Sequence, residues 1–118
     1  MASIPYLSRR NQHRIGAAGR KSEKKLAKRL GGRARPASGA MVGAKGDIDL
    51  KTILLEAKST TNSQIALKLG WLMKIAHEAR CEGKDPALSV SFVHDDGEPV
   101  RDGQWVLVPM SLWEEKLT

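Results

Sequence analysis

Cysteine is almost absent from this chain. Cys81 is the sole one, so no internal disulfide forms, and with only His13, His77 and His94 beside it no spacing suits zinc. It falls in a helical stretch with no histidine and acid partner in view, which reads as buried filler rather than a catalytic thiol. Long hydrophobic runs are missing too. No stretch approaches the ~18 to 20 apolar residues of a membrane span, and Met1 to Arg10 lacks the apolar run of a signal peptide. No membrane association and a cytoplasmic location are therefore expected. Internal repeats are also lacking, which excludes solenoids and propellers.

Acid is scarce at one end. Residues 1 to 35 hold eleven Lys and Arg against the single acid Glu23, a charge of +10, whereas residues 36 to 118 hold nine against twelve, a charge of −3. The net charge of +7 is thus concentrated in the first third of the chain. Such a block releases counterions from a phosphate backbone, the main sequence-independent source of nucleic-acid affinity; the plainer reading is a solvated basic face with no partner. A length of 118 residues suits one domain with one modest core and is too short for two. With 41% apolar and 28% charged residues the chain is neither fibrous nor disordered as a whole.

Residues 1 to 14 mix Pro5, Ser3, Ser8 and Asn11 with Arg9, Arg10 and Arg14 and have little to bury, so they read as a flexible basic arm before a single domain at 15 to 118. From about Ala17 to Leu30 the pattern is helical, with Leu26, Ala27 and Leu30 on one face and Gly31 and Gly32 as its stop. Glu23 lies on that apolar face, an expensive place for a carboxylate unless it sits at the edge or has a partner. Gly31 to Gly46 reads as a basic, glycine-rich loop containing Arg33, Arg35 and Lys45. Two short strands follow, Asp47 to Leu50 and Ile53 to Lys58, joined by a turn at Lys51 and Thr52. Ile65 and Leu67 suggest an edge strand, Gly70 to Glu82 a helix, and Ala87 to Val93 a strand. Gln104 to Pro109, apolar from Trp105 onward, is expected to be a central strand, after which Ser111 caps a helix at Leu112 to Leu117. Alternating helices and strands make this an α/β unit.

Chemistry gathers on the second strand. Alternation puts Glu56 and Lys58 on one face with Leu55 and Ala57 on the other, and a hairpin brings Asp47, nine residues earlier, beside Glu56. Two facing carboxylates repel unless a cation lies between them, and Mg²⁺ characteristically takes one or two carboxylates, water and a substrate phosphate. A lysine beside such a centre favours hydroxide and stabilises charge on phosphorus. An acid two residues before a lysine is also the ordinary pattern of a cross-face salt bridge.

These residues resemble the PD-(D/E)xK nuclease superfamily and, within it, the archaeal-type Holliday junction resolvases, which phages also encode. The resemblance covers about residues 16 to 60. Gly19 to Leu26 reads GRKSEKKL, similar to that family's first helix, whose catalytic glutamate falls on Glu23; Pro36 to Gly39 reads PASG, similar to its basic serine loop, which nominates Ser38; GDID and LLEAKS supply Asp47, Glu56 and Lys58. Gly46 stands where the family name expects proline, and Asp49 shares the Asp47 face as a second candidate ligand, with Asp47 preferred for its place at the strand start. What the resemblance implies is a restriction-endonuclease-like core, a central mixed β-sheet flanked by helices. It further implies a Mg²⁺-dependent endonuclease, with Mn²⁺ as substitute, held by Asp47, Glu56 and Glu23, with Ser38 and Lys58 contributing to cleavage. The phosphate contacts expected are Arg9, Arg10, Arg14, Arg20, Lys24, Arg33, Arg35 and Lys45. The implied substrate is a four-way DNA junction, nicked symmetrically by a homodimer, in a host cytoplasm if a phage encodes it. Trp71, Trp105 and Trp113 are either core residues or part of a dimer face. Two alternatives stay open: a nuclease of the same core acting on ends, nicks or flaps, and a non-catalytic DNA-binding module.

Overall fold

The computed structural model describes residues 19–35 and 47–118. Helix α1 (19–30) ends as its glycines require: Gly31 takes φ 74°, its N–H bonds the Lys28 carbonyl at 3.2 Å, and Gly32 N–H bonds the Ala27 carbonyl at 2.9 Å. This double bond is the Schellman closure, open mainly to a residue without Cβ. The chain then runs through β1 (Arg33–Ala34), β2 (Asp47–Asp49), β3 (Ile53–Thr60), α2 (Leu69–Cys81), β4 (Asp85–Val93), β5 (Pro99–Leu107) and α3 (Met110–Leu117).

The five strands form one mixed sheet in the order β1-β2-β3-β4-β5, antiparallel except for the parallel pair β3 and β4. Parallel neighbours need a long crossover, which α2 supplies. Alternation along β3 feeds two layers. Leu55 packs with Leu26 and Ala27 of α1, Ile48 and Ala87; on the opposite face Leu54 packs with Ile75 and Ala79 of α2. This is an α/β fold with a mixed five-stranded sheet flanked by helices, compatible with a restriction-endonuclease-like core. No helix of the described residues is long and apolar enough to cross a membrane.

Several expectations are corrected. The glycine-rich loop contains β1, whose Arg33 and Ala34 pair with Asp49 and Ile48. Residues 61–68 form no strand, so Ile65 and Leu67 belong to the link into α2. β5 lies at the sheet edge rather than its centre, leaving Trp105 64% and Val106 57% exposed. Its apolar run implies burial on both faces, but an edge strand is paired on one side only and its outer residues are not fully covered by a helix layer. Pro109, with no side-chain cap, precedes α3, which starts at Met110 instead of being capped by Ser111. Cys81 is exposed, with Sγ 3.7 Å from His77 Nε2, so it is neither buried nor remote from a histidine. One turn of helix separates the two side chains.

Candidate functional site

The hairpin β2–β3 turns back through a Leu50 N–H bond to the Ile53 carbonyl at 3.0 Å, which sets the register Asp47 opposite Glu56. Directly opposed residues project from the same face. Two residues along β3 on that face, Lys58 places Nζ 3.4 Å from Glu56 Oε1. Glu56 is only 1% exposed and the Lys58 side chain 10%. The expected association of Asp47, Glu56 and Lys58 is therefore present in the register, and the sheet's α2 face carries it.

Helix α2 adds two residues that the sequence reading did not single out for this site. Trp71, in its first turn, sets its ring under the Lys58 ammonium, 4.2 Å from Nζ to the ring centroid, with Lys68 Nζ at 5.8 Å. Glu78 comes beside Asp47. The placement follows from chain direction, since β2 and α2 both run opposite to β3. Two residues of strand advance about 6.6 Å and four of helix about 6 Å, so Glu78 and Glu82 match Asp47 and Asp49 as successive rungs. Burial, then the charges of Glu78 and Glu56, hold the Asp47 carboxyl up at about 6, against the pull of Lys74. A sequence signal for Glu78 exists only in hindsight of the packing: it precedes buried Ala79 and follows buried Ile75 by three residues.

Asp49 is a different kind of residue despite sharing the Asp47 face. Arg35 donates to it from Nε at 3.1 Å and from a terminal nitrogen at 3.0 Å, and Lys84 Nζ donates at 2.6 Å. Those hydrogen bonds pull its carboxyl down to about 2. Arg35 also reaches Glu82 at 2.5 Å. Asp49 is thereby committed to a structural ion-pair network, which leaves Asp47 as the available strand acid. The same network engages Arg35, so its charge is largely compensated within the fold and it is less suited to a phosphate than expected.

Glu23 lies on α1, in the layer across the sheet. A Cβ on Gly19 would meet Ser59 Oγ at 2.9 Å, and Ser22, Leu26 and Ala27 are buried, so α1 presses on the odd-numbered face of β3 while Glu56 and Lys58 occupy the even-numbered one. Glu23 is half-buried and is not brought into one metal-holding group with Asp47 and Glu56; among the described residues no three His, Cys, Asp or Glu side chains form such a group. The strand register joins Asp47 and Glu56 as a cross-strand pair, with Glu78 beside Asp47. Arg20, Lys24 and Arg33 are exposed. Arg9, Arg10, Arg14, Ser38 and Lys45 lie outside the described residues.

Asp47 and Glu56 fit a divalent cation by the chemistry of the donor set: hard carboxylate oxygens crowded until one holds its proton to about 6. A separate cavity of about 900 Å³, lined in part by Thr61, Phe92, Asp95, Asp96, Asp102 and Trp105, has an acidic rim that suits a phosphate poorly. No family profile, curated protein or solved structure matches this chain.

Proposed function

We propose that the chain is a magnesium-dependent DNA endonuclease of the PD-(D/E)xK kind that cuts branched DNA, with a four-way junction as the preferred substrate and a homodimer as the acting form. The observation that carries this reading is the register Asp47 opposite Glu56 with Lys58 on the same face of a mixed sheet. A divalent ion bound by Asp47 and Glu56 would supply Lewis acidity at the scissile phosphate and a water of lowered pKa. Asp47 and Glu56 orient that centre; Lys58, shielded from solvent, presents a positive charge to the phosphate where negative charge grows. The basic first third of the chain, including exposed Arg20, Lys24 and Arg33, supplies sequence-independent affinity for the backbone.

The test is cleavage of a labelled four-way junction beside linear duplex, with Mg²⁺ and with EDTA, by the native chain and by Asp47→Asn. Junction nicking that needs the metal and disappears in Asp47→Asn, while junction binding persists, supports the reading. Equal cutting of both substrates removes the junction preference. Undiminished cutting by Asp47→Asn removes the site.

A further inference from the structure

The Lys58 ammonium meets both a carboxylate, Glu56, and an aromatic ring, Trp71. It sits on a flexible four-carbon stem, is nine-tenths withdrawn from water, and stands 3.4 Å from a carboxylate oxygen, longer than a tight charge-assisted bond of about 2.7–2.9 Å. The Trp71 ring, 4.2 Å from Nζ, is well inside the roughly 6 Å range of a cation–π contact, and indole is the best aromatic partner for a cation.

The chemistry of that partner matters. A second carboxylate in the same place would cancel the lysine's charge. A π face attracts the cation without bringing a net charge and without a site to accept its proton, so the ammonium is steered yet keeps its charge for an incoming anion. Trp71 is also well placed to be rigid: it lies in the first turn of α2, its N–H bonding the Lys68 carbonyl at 3.0 Å, and α2 is anchored on the sheet through Ile75 and Ala79.

We infer that Trp71 is a positioning residue, holding the Lys58 ammonium against Glu56 at the place where a phosphate is to be met. The inference rests on the nuclease reading for its consequence and on the ring–ammonium geometry for its content. The two are tested separately on the full chain. In ¹³C,¹H spectra of the native protein the Lys58 ε-methylene resonance, assigned by through-bond correlation along its own side chain, is expected upfield of the free-lysine position because of the indole ring current, and to return there in Trp71→Leu. In the junction assay Trp71→Leu is expected to lower kcat about tenfold with KM for the junction unchanged, and Trp71→Phe, which keeps a π face, to recover kcat to within about threefold of native.

An unshifted Lys58 methylene in the native protein overturns the inference whatever the enzyme does, and that measurement needs no variant to fold. Native kcat in Trp71→Leu also overturns it, as does a loss that Phe fails to recover. Should the native chain cut no DNA at all, the nuclease reading falls, and the ring-current shift alone decides whether Trp71 holds Lys58.

Discussion

Asp47→Asn is expected to abolish cleavage and, at the same time, to make the protein more stable above neutral pH. The Asp47 carboxyl titrates at about 6 in the fold against 3.8 as the ordinary value. A folded state that binds the proton more tightly than the unfolded chain pays for ionisation, so the penalty is absent below about pH 3.8 and fully present above about pH 6. At about 1.4 kcal/mol for each pKa unit the whole difference is roughly 3 kcal/mol, and because the residue is only half-buried we take about 1–2 kcal/mol of it as recoverable. Asparagine keeps the shape, carries no charge, and can donate to the neighbouring Glu78 and Glu56. For a domain of this size the gain corresponds to a thermal midpoint raised by roughly 5–10 °C. The assay is thermal unfolding in EDTA from pH 4 to pH 8 for the native chain and the variant. The two are expected to coincide near pH 4 and to separate as pH rises through 6. A variant that is no more stable than the native protein at pH 8 would refute the reasoning, because Asp47 would then not be an electrostatically strained acid.

Asp49→Asn is predicted to behave oppositely. Its carboxyl is held near 2 by Arg35 and Lys84, so it contributes stability above about pH 3.8 that fades as pH falls toward 2; loss of this third-exposed pair network should cost about 1 kcal/mol at pH 7 in urea unfolding while cleavage continues. Gly32→Ala should destabilise by about 1–3 kcal/mol, since its Cβ would stand 2.7 Å from the Asp49 carbonyl oxygen, and the loss should appear as a lower urea midpoint with an unchanged slope.

The hairpin at the centre of the site was legible because its signals are local. Alternation from Ile53 to Lys58 and a two-residue turn are enough to place Asp47 against Glu56, and the register agrees. The end of α1 was legible for the same reason, glycine being one of the few residues at ease with φ 74°. Reading failed where the question was who covers whom. The apolar run Trp105 to Leu107 marks a strand but not whether a second strand flanks it.

Asp47 and Asp49 show the division most directly. Their spacing by two residues assigns them to one face of one strand, and no more follows from spacing. Chain folding then brings Arg35, from fourteen residues away, and Lys84, from thirty-five, onto Asp49, while Glu78 comes to Asp47. Composition, the basic first third and the acid–acid–lysine pattern were determined by the sequence itself, because they depend on residue identity and on the period-two geometry of a strand. Which carboxylate is neutralised, which is left strained, and which tryptophan meets the lysine were decided by the tertiary structure, because an ionisable group's character is set by the charges and the solvent exclusion that distant segments bring to it.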